Sequence, residues 1–211
     1  MNRLANLLAV FVCSLPCLAQ DWQVGASVGY GFYRNGSIYS PDGKAQAGFK
    51  SRFTSGAVIT DDAYDHLSGE FRYNYQDGDP FIAAGGVETR LQGQSHSFSY
   101  DVNVHFRSLD HDFRPFVTAG AGAKLYIIRG PGNPDQPLSD IATLTTRNDL
   151  KFLAVFGGGV QWRFTRHAIL RGGFLDYVTP FPKKQIQPAS FATPRGIFHQ
   201  FTPMVGVSYV F

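Results

Sequence analysis

Charged side chains of both signs recur along this chain in stretches where every second residue is small or polar. Lys50, Arg52, Glu70, Arg72, Asp101, Lys124 and Arg163 follow this pattern, and His105, Lys151 and Arg171 share it. Gathered on one surface shielded from water, such groups must neutralise one another, because an unpaired buried ion costs on the order of several kcal/mol. Two kinds of chemistry are then open to them. Fixed pairs form a structural network, whereas pairs that rearrange line a narrow path for ions or small solutes. The basic excess would favour anions on that path.

Hydrolytic chemistry needs a serine within reach of a histidine that an acid orients. Ser95-His96-Ser97 with Glu88 nearby is the closest cluster. Ser108 follows His105 by three residues but falls near a turn, and His199 has only the loop residue Ser190 at hand. None of these has the spacing of an active site, so the expectation is a protein that is not an enzyme. The glycine pairs Gly157-Gly158-Gly159 and Gly120-Ala-Gly122 lie inside strand-like stretches and open no helix, which excludes nucleotide loops. No cofactor is implied.

The elements that must position these charges are strands. Aromatic residues make up 15% of the chain and charged ones only 17%, against a typical quarter in soluble domains. Trp22, Val24, Ala26, Val28, Tyr30 and Phe32 alternate with Gln23, Gly25, Ser27, Gly29 and Gly31, the period of a strand with one greasy and one small or polar face. The same alternation predicts strands over 45–54, 67–76, 97–106, 117–127, 151–164 and 201–211. A less regular one covers 168–178, where Arg171 and Leu175 share a parity and suggest a bulge or a phase error. The spacers alternate between short (60–65, 108–113, 165–168) and long (129–149 and 179–197 among them). That layout predicts an all-β, eight-stranded antiparallel up-and-down transmembrane barrel with short periplasmic turns and long extracellular loops. A sheet in hydrocarbon survives only if it has no free edge, so the barrel must close. Trp22, Tyr30, Phe32, Tyr75, Trp162 and Tyr209 then form interfacial girdles. A soluble barrel would put its greasy face inside, but polar faces rich in Gly and Ser with few charges suit a cramped lumen better.

The amino end fits export. Residues 1–19 carry Arg3, an apolar stretch from Leu4 to Leu18, and Ala19 at a plausible cleavage point, which is the layout of a signal peptide ahead of a barrel domain over 20–211. Both cysteines, Cys13 and Cys17, fall in that segment, so a mature chain has no thiol chemistry. Loss of Arg3 from the 19 basic residues leaves 18 against 16 acidic ones, too even a balance to imply nucleic acid.

Stretches such as SHSFSYDVNVHF (95–106), RPFVTAGAGAKLY (114–126), DYVTPFP (176–182) and FTPMVGVSYVF (201–211) resemble the outer-membrane β-barrel superfamily, whose small members are like the transmembrane domain of outer membrane protein A. A narrower group of bacterial outer-membrane barrels is similar over nearly the whole mature chain. The resemblance implies fold and a place in the Gram-negative cell envelope, and almost nothing about activity. The ending GVSYVF is similar to the assembly signal of such barrels, with Gly206, Tyr209 and Phe211 in register and Met204 where that pattern favours a polar residue. It implies recognition by the barrel-assembly machinery. Lys183 and Lys184, in the Pro-rich stretch 179–196, are expected to meet outer-membrane lipid and lipopolysaccharide phosphates. The expected role of this monomer is structural or in surface interaction. A narrow porin-like channel is the alternative, and a lipid A-modifying hydrolase is less favoured.

Overall fold

A computed structural model describes residues 21–41, 43–132 and 135–211; the expected signal peptide, its cleavage point and both cysteines lie outside the described residues. Eight long strands form a closed antiparallel barrel: β1 (Asp21–Arg34), β2 (Arg52–Tyr64), β3 (Leu67–Asp77), β4 (Gln92–His105), β5 (Phe113–Arg129), β6 (Asp149–Thr165), β7 (Ala168–Thr179) and β8 (Phe198–Val210). Each pairs with its neighbour in sequence, and β8 closes against β1 from Gln23↔Val210 to Arg34↔His199. At the seam the Phe211 N–H donates to the Trp22 carbonyl at 3.0 Å. Gly206 has to be glycine there, since a Cβ would lie 2.5 Å from the Ala26 carbonyl oxygen.

The alternation seen in the sequence sorts the two faces. Val28, Phe53, Phe71, Phe98, Phe156, Val205 and Phe211 stand exposed on the outside, while Gln23, Thr54, Glu70, Asp101 and Thr202 are buried inside. An exposed apolar belt of this extent, running round the whole barrel, is far larger than a soluble monomer carries. It suits hydrocarbon. Strands β2 and β3, β4 and β5, and β6 and β7 are joined by short turns on one rim, and the four long connections lie on the other.

Two strand expectations are corrected. The second barrel strand runs over Arg52–Tyr64 rather than 45–54, and most of the expected turn 60–65 is strand, bulged between Asp61 and Tyr64. Ala45, Ala47 and Phe49 alternate as a strand does, but they belong to a separate sheet above the barrel. In β7 there is no bulge at Arg171 to Leu175. Its register is continuous against β8, both residues face inward, and the register shift falls between Arg163 and Thr165 at the turn. The lumen accepts apolar side chains as well: Leu153, Val155, Leu175 and Tyr177 are buried together there with Met204.

The long connections fold into a cap. Five short strands lie in the order Thr193–Arg195, Gly36–Ser40, Gly43–Phe49, Pro80–Ala84 and Val87–Arg90, and Ala142–Leu144 pairs with Ile186–Pro188. Gly85 and Gly86, with φ of +57° and +84°, make the two-residue turn that joins the last pair. Ile38, Phe49, Ile82, Leu144 and Ile186 are buried between these pieces and continue onto Tyr126 and Phe198 at the barrel mouth.

Candidate functional site

The interior of the barrel is organised in tiers. In the middle tier Glu70 on β3 pairs with Arg72 on the same face and with Arg171 across the lumen. The Thr60 hydroxyl donates to Glu70 at 2.8 Å, and Arg171 also donates to Thr60 at 3.1 Å. Arg72 reaches on to Asp101, Nε to Oδ2, at 2.8 Å. Arg72 thus bridges two carboxylates and Arg171 holds one of them, the four groups coming from β3, β4 and β7. Alternation aims all four inward, and the strand register brings them to one level.

Nearer the short-turn rim, Asp62 accepts from Gln23 and lies 3.5 Å from Arg114 and 4.0 Å from His105. Ser68 shares a 3.0 Å hydrogen bond with the His105 ring. Towards the cap, Lys124 donates to Gln200 and, at 3.1 Å, to the Tyr33 hydroxyl, which donates to Gln76 at 2.9 Å. The Lys124 ammonium lies over the rings of Tyr33 and Tyr126 at 5.1 and 5.2 Å. Phe49 of the cap stacks on Tyr126, centroids 4.8 Å apart. An eight-stranded interior is about as wide as its side chains can fill, and here the loop-side mouth is closed by the core of the cap.

The sequence-predicted residues separate into three sets. Glu70, Arg72 and Asp101 meet, joined by Arg171, while Lys124 sits apart in its own tier. Arg163 stands at the short-turn rim, where its backbone N–H donates to the Asp112 carbonyl at 2.8 Å. Lys50 and Arg52 are corrected, since neither joins the interior network. Lys50 follows the cap strand and pairs with Glu88 at 2.8 Å, and Arg52 at the loop-side rim pairs with Asp79 at 2.6 Å. Both follow from the misplaced second strand. The Ser95-His96-Ser97 cluster is split by the wall: the serines are buried inside, whereas His96 faces out to the Tyr73 hydroxyl at 2.8 Å. Glu88 is engaged by Lys50. Lys183 and Lys184 are exposed on the cap, where the Lys184 N–H donates to Asp149 at 3.0 Å. Sequence reasoning missed Asp62 and Arg114, which the extended strand parity would have placed inside. It also missed an outward pair, His199 with Asp176 at 2.7 Å, which only the β7–β8 register brings together.

Among solved structures the chain is similar to Neisserial surface protein A, with a TM-score of 0.53 at 12% identity over 90% of this chain and 97% of that one. It is also similar to the outer membrane protease OmpT from Escherichia coli, with a TM-score of 0.50 at 10% identity over 90% and 97%. At such identities the likeness concerns the fold alone. No protein-family model matches the chain, and no curated protein matches its sequence. The fold is that of the small outer-membrane β-barrels: all-β, closed, eight-stranded and antiparallel.

Proposed function

We propose that this protein is a non-conducting outer-membrane barrel whose capped, loop-bearing end serves a structural or surface-interaction role. The observation that carries the reading is the buried apolar core of the cap, seated on the mouth of a barrel whose middle is already crossed by ion pairs. A conducting barrel needs a continuous wet path, and an apolar plug over the mouth opposes one. A rigid cap presents fixed surface, and loops held on a rigid scaffold are where recognition concentrates. Outer-membrane lipids and lipopolysaccharide are its surroundings in this reading, with the chain acting as a monomer and without catalysis. During biogenesis Gly206, Tyr209 and Phe211 address the chain to the barrel-assembly machinery. Deletion of Phe211 is then expected to impair insertion.

Planar-bilayer recording tests the central point. The purified protein is expected to give no steady conductance. Steady channels that disappear in Glu70→Gln or Arg72→Gln would replace this reading with that of a narrow porin-like channel.

A further inference from the structure

Along β8 and the residue that follows it, the outward positions from Phe201 to Phe211 are apolar, and on β1 those from Trp22 to Phe32 are too. Ten residues at roughly 3.3 Å each, tilted by about 40°, span about 25 Å, the height of the hydrocarbon band of such a barrel. Both strands change character at the same level. Phe32 pairs with Phe201, and the next outward pair is Arg34 with His199. These two side chains therefore stand side by side at the depth of lipid headgroups, on the loop side.

Beside them, outside the closed wall, the surface dips into an open cleft of about 540 Å³, lined by Arg34, Asn35, Ser37, Tyr39, Ile197 and His199. That is within the size range of ligand sites. His199 is fixed from behind, since its Nδ1 bonds to Asp176 at 2.7 Å and its ring stacks on Phe201 with centroids 5.8 Å apart. The same ring lines the cleft. Other cations at this rim are matched by acids: Arg52 by Asp79 at 2.6 Å, Arg129 by Asp77 at 4.0 Å and Lys151 by Asp149 at 3.2 Å. Arg34 is exposed and has no carboxylate within 4.0 Å among the described residues.

We propose that this cleft binds the phosphorylated headgroup of an acylated outer-leaflet lipid. The Arg34 guanidinium takes the phosphate, as its planar fork of donors suits, and the His199 ring, held by Asp176, flanks it. The acyl chains run down the belt over Phe32, Phe201 and Val205. Ile197 and Tyr39 cover the headgroup from the cap side. The site differs from Lys183 and Lys184, which follow β7 next to Asp149 and do not line this cleft, and it rests on the reading that the loop side faces outward from the outer membrane.

The test uses the protein purified from outer membranes, delipidated in detergent and titrated with hexa-acylated lipid A under native mass spectrometry. One lipid A is expected to remain bound per barrel. Arg34→Ala should weaken retention about tenfold or more, as loss of a charge-assisted bidentate contact does. His199→Phe, which keeps the stack on Phe201 but leaves the Asp176 carboxylate without its partner beside the site, should weaken it several-fold, and the Lys183→Ala/Lys184→Ala double variant should leave it unchanged. Lipid A stripped of its phosphates should bind as weakly as the Arg34 variant does, and inorganic phosphate alone should not compete at millimolar concentration. Undiminished binding by Arg34→Ala, equal binding of the dephosphorylated lipid, loss in the lysine variant or displacement by inorganic phosphate each overturns the proposal. Heat-modifiable migration of every variant reports the closed barrel separately. Its loss in the wild type would sink the outer-membrane reading instead.

Discussion

The barrel and its cap solve the problem of an interior in opposite ways. The barrel buries Glu70, Arg72, Asp101 and Arg114 and exposes Phe71, Phe98 and Phe156; the cap buries Ile38, Phe49, Ile82 and Ile186 and exposes Lys183, Lys184 and Arg147. The backbone chemistry of both is antiparallel sheet. What differs is the solvent outside. Hydrocarbon offers apolar side chains nothing to escape from, so the barrel gains little by burying them and can spend its interior on polar contacts that fix strand register. Water restores the usual drive, worth about 25 cal/mol per Å² of apolar surface, and the cap is organised accordingly. The two meet at Phe49 and Tyr126, where an apolar ring from the cap lies on a barrel side chain whose neighbour is Lys124.

Substitutions that treat the two interiors alike should break the comparison. The largest effect is expected from Glu70→Ala, which removes the partner of Arg171 and one of the two partners of Arg72. Leaving a buried charge uncompensated costs about 3–5 kcal/mol, read as a lower urea midpoint for loss of the heat-modifiable barrel. Replacing Glu70 and Arg171 together by Leu should recover much of that loss. If the single variant is as stable as the wild type, the middle tier does not hold the barrel. Phe49→Ala comes next, at about 3 kcal/mol, but its signature differs. Protease should cut within the cap while the barrel keeps its heat-modifiable migration. A barrel that melts with its cap would show that the two form one cooperative unit.

The legibility of the molecule follows the same division. Alternation is a local property, so the lumen face of β1, β3, β4 and β5 could be read residue by residue, and Glu70, Arg72 and Asp101 with it. Ala45, Ala47 and Phe49 obey the same period, and nothing within ten residues distinguishes a cap strand from a barrel strand. Hence the period that counts Lys50 and Arg52 among the lumen charges does not hold for them, and they pair instead with Glu88 and Asp79. The cap core joins residues from four long connections, and His199 meets Asp176 only through the pairing of Val178 with His199. Such contacts depend on register and on loop closure, which a single chain does not display. The outward face offers a sharper test of the solvent argument. Val28 is half exposed near mid-belt, so Val28→Lys should destabilise the barrel by about 2 kcal/mol in bilayers. A loss no larger than an exposed cap site shows, as for Gln187→Lys, would mean that the belt is not set in hydrocarbon.

The smallest effect is expected on the other rim, in the turn between β4 and β5. Asp110 is fully exposed there. Its carboxylate accepts from the Ser108 hydroxyl, which holds its pKa below the usual aspartate value, and the His111 ring at 3.0 Å lowers it further. A carboxylate with a depressed folded pKa contributes stability that is complete above the unfolded pKa and is lost as pH falls through the folded one. The turn should therefore loosen only on the acid side. Ser108→Ala removes the first cause, so the Asp110 titration followed by carboxyl ¹³C shifts should move up towards the ordinary range, with a further smaller rise in His111→Ala. Thermal stability at neutral pH should barely change, because water replaces what an exposed turn loses. An unmoved Asp110 titration in Ser108→Ala would leave the turn held by its backbone alone, through the 3.2 Å hydrogen bond from the His111 N–H to the Ser108 carbonyl. The short rim would then be as indifferent to its side chains as the lumen is dependent on them.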